Sequence, residues 1–205
     1  MRKNLIDLFF LELSKKTTQD TEVIVTGAVA GALFGHSRPS LDIDFEIRPT
    51  KEKDPAYLEY LDGVIREISS NLKVDTNYGE DISHWSMIDY LDYRTKTIPY
   101  KKMGRLDIRL MAPEYWTIGK MARFLELDIQ DMIKIIKIKR IPSDRLVKLW
   151  ARALKASDLS LELGQFRQHV EFFLKKCGPR LWGKSYKAEK AVALFRKLAG
   201  VATSI

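Results

Sequence analysis

Cysteine is almost missing. Cys177 stands alone in 205 residues, which excludes a disulfide within this sequence and fits, without requiring, a reducing compartment. Histidine is also scarce: His36, His84 and His169 show no metal-ligand spacing, so a zinc site is not expected. No apolar run is long enough to span a bilayer, so no membrane association is expected. The opening MRKNLIDLFFLELSKK joins basic residues to apolar ones. Asp7 and Glu12 interrupt the run and no small-residue cleavage site follows, so it reads as an amphipathic first helix rather than a signal peptide, and a cytoplasmic protein is expected. Internal repeats, low-complexity segments and long linkers are absent as well.

Charge is abundant but unevenly divided. Residues 1–100 carry 12 Lys and Arg against 17 Asp and Glu, whereas residues 101–205 carry 23 against 10. An acidic half joined to a basic half suggests a metal or catalytic module beside an anion-binding surface. A basic helical domain kept soluble by its lysines accounts for the same numbers.

The hydrophobic pattern divides the chain similarly. A helix over 3–16, a short β-branched strand EVIVT at 22–26, a helix of small residues in AVAGALFG and a strand over 41–47 come first. A helix follows over 54–70, with Asp54 as N-cap and Pro55 at its first position. LKVDTNY reads as a possible strand, DISHWSMIDYLDY stays ambiguous, and TKTIPYKKMGRLDIRLMAP holds one or two strands, the clearer being Arg105–Met111. From Pro113 the pattern is helical: 113–126, 129–139, 144–156, 159–176 and 184–199. The predicted class is α+β: residues 1–112 form an α/β-type module with a small mixed sheet flanked by helices, and residues 113–205 form a basic helical domain.

The stretch LDIDFEI raises the chemical question. Asp42, Asp44 and Glu46 alternate with apolar residues, so three carboxylates share one strand face, where like charges oppose one another's ionisation. Asp42 and Asp44 point the same way and their oxygens can converge on one hard cation such as Mg²⁺, or Mn²⁺ in its place. A solvent-facing edge strand is the bland alternative. Upstream, Thr26-Gly27-Ala28 ends a strand before a helix, where glycine lets a phosphate approach the backbone N–H groups. A third carboxylate on a neighbouring strand would complete a two-metal clamp, and Asp107 in RLDIR is the candidate.

The run Val25-Thr26-Gly27-Ala28, then Gly35, then Arg38-x-Ser40-x-Asp42-x-Asp44 resembles the nucleotidyltransferase fold of the DNA polymerase β type. Within it, the run is most similar to minimal bacterial nucleotidyltransferases, including the AbiEii-like toxin-related branch. The downstream segment Ala112-Pro113-Glu114-Tyr115, Lys120 to Arg123 and Asp128 to Asp131 looks similar too, and the resemblance covers about residues 22–140. Two positions depart from the pattern: Ala28 stands where the family prefers Gly or Ser, and Ser40 where it prefers Thr.

The resemblance implies Mg²⁺-dependent transfer of a nucleoside monophosphate from a triphosphate to a hydroxyl. Asp42, Asp44 and Asp107 would be the metal ligands and catalytic residues. Gly27, Ala28, Arg38, Ser40, Lys120 and Asp131 would contact the nucleotide. The acceptor would be an RNA or tRNA 3′ end, or a protein side chain, in a toxin–antitoxin or phage-defence setting with a cognate antitoxin as partner. The alternative is a catalytically lapsed module that binds nucleotide, nucleic acid or a partner protein. Without the resemblance, Asp128 and Asp131 read as an N-cap with an acidic third position, and Lys134, Lys137, Lys139 and Arg140 as a solvated helix face or a phosphate-tracking one. Aromatics such as Trp182 and Tyr186 read as core, with base stacking as the sharper alternative.

Overall fold

The structure is a computed structural model that describes residues 3–35, 42–51 and 54–201. The chain divides into two compact units, one of residues 1–82 and 94–111, the other of residues 83–93 and 112–205. The local pattern places a single division, between residues 112 and 113, whereas the chain passes from the first unit to the second at 82/83 and again at 111/112. The pattern does not anticipate that 83–93, in the middle of the α/β module, belongs with the helices.

The first unit is a five-stranded mixed sheet in the order β3-β2-β1-β5-β4. Its strands are β1 Thr21–Val25, β2 Asp42–Pro49, β3 Asp75–Gly79, β4 Thr97–Met103 and β5 Leu106–Met111. The central strand β1 runs antiparallel to β2 and parallel to β5. Strand β3 lies parallel to β2, and β4 returns antiparallel on β5 through a tight turn in which Gly104 takes φ +56°.

Helices α1 Lys3–Lys16 and α3 Pro55–Leu72 serve one face of this sheet. Phe9 and Phe10 of α1 meet Phe45 of β2 at ring-centroid distances of 5.9 and 5.8 Å, and Tyr78 of β3 stacks on Phe45 at 5.4 Å. Helix α3 reaches β3 on that side through Tyr78, which donates to Asp62 at 2.6 Å, and through a hydroxyl contact between Ser69 and Thr76. Its start follows the local pattern: the Asp54 carboxylate accepts from the Tyr57 N–H at 3.1 Å, and Pro55 occupies the first position. The short helix α2, Gly27–Leu33, packs against β2.

The second unit is helical: α4 Pro113–Arg123, α5 Glu126–Lys139, α6 Ser143–Ala156, α7 Leu161–Lys176, the five-residue α8 Gly178–Trp182, and α9 Ala188–Ala199. Trp116, Trp150, Phe166, Phe173 and Phe195 are fully buried at its centre. Trp150 donates its indole N–H to Thr117 at 2.9 Å and meets Phe173 edge-on at 5.7 Å. The 83–93 segment is tied into this unit. Tyr115 donates to Asp92 at 2.9 Å, and the Tyr90 hydroxyl lies so close to Gly119 that a Cβ there would stand 2.2 Å from it. That contact explains a glycine inside a helix, where it costs about 1 kcal/mol relative to alanine.

Two expected boundaries move. The break placed at Leu127-Asp128 falls at Phe124, a left-handed residue (φ +53°) that ends α4. Asp128 is therefore not an N-cap. It lies inside α5, with a carboxylate oxygen 3.4 Å from the Leu125 N–H. The expected 184–199 helix begins only at Ala188, because Gly183 ends α8 at φ +79°. Among the described residues no helix is long and apolar enough to cross a membrane.

Phe45→Ala removes the ring on which Phe9, Phe10 and Tyr78 converge. It is expected to destabilise the first unit by about 3–5 kcal/mol, read as a lower urea midpoint in a transition that leaves the helical unit's tryptophan fluorescence signal in place.

Candidate functional site

Strand β2 alternates as its sequence demands. Ile43, Phe45 and Ile47 are buried on the helix-covered side, and Asp42, Asp44, Glu46 and Arg48 take the other. The carboxylates on that second side are handled in two ways.

Glu46 is fully buried. Arg94 grips both of its oxygens at 2.8 and 3.2 Å, the Ile82 N–H donates to it at 3.1 Å, and Arg48 lies 3.6 Å away. This is an internal ion pair in which the guanidinium fork matches the carboxylate, and it takes Glu46 out of consideration as a ligand. A polar cleft of about 390 Å³ opens beside it, bounded by Glu22, Arg48, Lys51, Glu80, Asp81 and Arg94. Its two arginines already face carboxylates, Arg48 with Glu22 at 2.7 Å and Arg94 with Asp81 at 3.0 Å.

Asp42 and Asp44 are half-exposed and meet a neutral group. Asn77, on β3 at the register position of Asp44, donates from its single amide nitrogen to Asp42 at 3.0 Å and to Asp44 at 3.1 Å. One oxygen from each carboxylate is thus aimed at one point. The turn after β1 presses on the same group. Gly27 takes φ +63°, and a Cβ built on it would stand 1.7 Å from an Asp44 carboxylate oxygen. The Thr26 N–H continues the ladder by donating to the Asp44 carbonyl at 2.9 Å. No L side chain fits at position 27 while Asp44 keeps its place. The glycine of the strand–helix turn and the second aspartate of the acidic strand are therefore one structural element. Ala28, the next residue, sits half-buried in the first turn of α2.

Asp107 does not join this pair. It aligns with Glu22 of β1, which aligns with Arg48, four residues along β2 from Asp44 and two strands away. At about 3.3 Å per residue and about 4.8 Å per strand, that separation is on the order of 16 Å, too far to share an ion. Asp107 instead lies 3.5 Å from Arg109. The carboxylate that the sheet does set beside the pair is Asp75, which aligns with Asp42 on β3. The local pattern offers LKVDTNY as a possible strand but says nothing of its neighbour, so it singles out neither Asp75 nor Asn77. Arg38 and Ser40, expected at the nucleotide, lie outside the described residues, as does His36.

Lys120 and Asp131 are placed within the second unit. Lys120 is 4% exposed, and its ammonium donates to Asp128 at 2.8 Å and Asp131 at 3.0 Å while lying 5.3 Å from the centre of the Trp116 ring. Arg123 closes the group with two bonds of 2.7 Å to Asp128. The expected triphosphate contact is replaced by an internal network: an ammonium compensated by two carboxylates offers no net charge to a phosphate. Burial pushes the Asp128 carboxyl up, but the hydrogen bonds and charges of Arg123 and Lys120 outweigh it and hold its pKa below the ordinary aspartate value. Cys177 is half-buried, and burial pushes its thiol pKa up, away from nucleophilic use.

Compared with protein-family models, curated proteins and solved structures, the chain has no match. Among the described residues no three or more His, Cys, Asp or Glu stand close enough together to hold a metal ion. The chemistry available at Asp42 and Asp44 is therefore that of two convergent carboxylate oxygens. That donor set suits one hard cation completing its shell with water and a phosphate.

Lys120→Met leaves Asp128 and Asp131 buried with less compensation, and is expected to cost about 3–5 kcal/mol at pH 7. Because the folded pKa of Asp128 is depressed, its contribution is present above the unfolded aspartate value of about 3.9 and is lost as pH falls through the lower folded value. Denaturation curves of the two proteins from pH 7 to pH 2.5 are expected to converge at the acid end. A gap that stays constant over that range would contradict the assignment.

Proposed function

We propose that the first unit is a nucleotidyltransferase-type module acting in the cytoplasm. It would move a nucleoside monophosphate from a nucleoside triphosphate to a hydroxyl acceptor. One observation carries the reading: Asp42 and Asp44 aim oxygens at one point, and Gly27 packs against Asp44 so closely that the glycine turn and the acidic pair form a single site.

Asp42 and Asp44 are the residues that would hold Mg²⁺. Bound there, the ion supplies positive charge to the phosphates and helps pyrophosphate depart. Asn77 must yield the point it occupies, and rotation of its amide would present an oxygen to the cation in place of the N–H group. The missing side chain at position 27 leaves the space that the Asp44 carboxylate itself occupies. The acceptor hydroxyl gives its proton to water as its oxygen attacks the α-phosphorus, the bond from that phosphorus to the bridging oxygen breaks, and pyrophosphate leaves. Asp75, beside Asp42, replaces Asp107 as the third carboxylate of the reading and adds negative potential next to the cation. Catalysis of this kind rests on positioning and charge compensation. An RNA 3′ end is the favoured acceptor, with a protein hydroxyl second, and a toxin–antitoxin setting with a cognate antitoxin rests on the motif resemblance alone.

The amide of Asn77 also favours a second reading. A neutral donor already bridges the two carboxylates, and a lapsed module that binds nucleotide without transferring it would keep this arrangement.

Label transfer separates the two. Protein is incubated with each α-labelled nucleoside triphosphate, Mg²⁺ and either tRNA or cell-extract protein. Transfer is expected, with a fall of about 100-fold or more in Asp42→Ala and Asp44→Ala, a clear loss in Asp75→Ala and little change in Asp107→Asn. Nucleotide binding without transfer would select the lapsed module.

A further inference from the structure

Beyond the transfer reaction, the second unit has a surface that the site above does not use. Helix α5 exposes Lys134, Lys137 and Arg140 near its C-terminal end, and α7 exposes Lys175 and Lys176 at its own. Arg180 of α8, then Lys184 and Lys187 in the approach to α9, are exposed as well.

Two aromatic side chains bring these segments together. Trp182 donates its indole N–H to the Ile141 carbonyl at 2.9 Å, seating α8 on the end of α5. Tyr186 donates to the Leu174 carbonyl at 3.1 Å and lies against Gly178, where a Cβ would stand 2.4 Å from its ring, so the 183–187 turn folds back on the end of α7. The two rings are 5.0 Å apart.

The segments that carry these cations are single-signed, bounded in sequence by Asp131 and Asp144 and by Glu171 and Glu189. Residues 132–143 and 172–188 contain no Asp or Glu. Elsewhere in the unit three exposed cations are compensated: Arg145 meets Glu114, Lys148 meets Asp144, and Arg152 meets Asp92. Among the described residues none of the eight cations named above is in an ion pair.

Helix electrostatics explain only part of this. Lys137 and the Lys175–Lys176 pair sit in last turns, where cations suit the negative end of a helix. Lys187 is the N-cap residue of α9, at the positive end, and makes no capping bond. A cation there works against the helix it precedes. Eight uncompensated charges gathered at one end, one of them on the wrong helix terminus, cost the isolated protein stability through mutual repulsion, and a polyanion would relieve it.

We infer that this end of the helical unit binds the phosphodiester backbone of a nucleic-acid strand. Trp182 and Tyr186 spend their polar atoms on the fold and are half-buried, so they hold the basic segments in place rather than stack bases. Recognition is therefore of phosphate and not of sequence, with affinity falling steeply as salt rises.

The test is fluorescence anisotropy with a labelled single-stranded 20-mer RNA and the DNA of the same sequence, from 50 to 300 mM salt, without nucleotide or Mg²⁺. The outcome is thus independent of whether transfer is ever seen. Binding of one or both strands is expected, with weak dependence on sequence. Arg180→Gln/Lys184→Gln/Lys187→Gln is expected to bind at least tenfold more weakly and to shrink the log–log salt slope by about two, at about 0.7 per phosphate contact for a single strand. Lys16→Gln/Lys96→Gln/Lys102→Gln, which removes equal charge from exposed positions of the first unit, is expected to lose less than threefold. Circular dichroism melts check that both variants stay folded. Equal losses in the two variants would show that net charge alone attracts the strand and would overturn the assignment. So would the absence of binding at 50 mM salt, which would leave the surface to an acidic protein.

Discussion

The first unit depends on one strand having two incompatible faces. Along β2 each apolar residue that the core needs is followed by a charged one that the core must not receive. A register slip of one residue would exchange the faces, burying Asp42 and Asp44 under α1 and exposing Phe45. The aromatic contacts of Phe9, Phe10 and Tyr78 on one side thus fix the position of the acidic group on the other. Packing energy on one face of a strand fixes electrostatic geometry on the opposite face.

Charge is treated differently according to depth. Glu46 and Asp128 are sealed and each is met by a guanidinium, with a backbone N–H also directed at the carboxylate. Burying ions is costly, and pairing returns about as much as an apolar substitute would, so such networks fix geometry more than they add stability. Asp42 and Asp44 receive no such partner from Asn77, only an amide dipole. Within one strand, Glu46 is fully buried under a guanidinium while Asp42 and Asp44 stay half-exposed, and that difference in depth leaves the pair within reach of an external group.

Much of this was legible in the residues. Period two gave the faces of β2, and Asp54-Pro55 gave the start of α3, because both signals are local. The misplacements share one cause. Asp107 looked like the third carboxylate because RLDIR repeats the apolar–acidic alternation, but strand order decides which carboxylates meet, and no local pattern encodes it. Asn77 carries no local signal because asparagine is depleted in strands and reads as a loop residue. Phe124 ends a helix in a conformation that glycine usually takes, so the end of α4 carried no visible signal. Lys120 looked like a ligand contact because its sequence neighbours do not reveal that Asp128 and Asp131 sit on the next helix turned toward it.

The chain leaves the sheet after β3, contributes residues 83–93 to the helical unit, and returns to complete β4 and β5 before entering that unit for good. Because β5 lies directly beside β1, the sheet emerging from a ribosome keeps an open edge along its central strand until residue 111 has been made. Neither unit is a continuous length of chain. A cut between 111 and 112 would leave Ile88 and Tyr93, both buried in the whole protein, on the wrong fragment. Each unit is compact but neither is contiguous in the gene, and any rearrangement that carried off one as a contiguous segment would carry off a piece of the other.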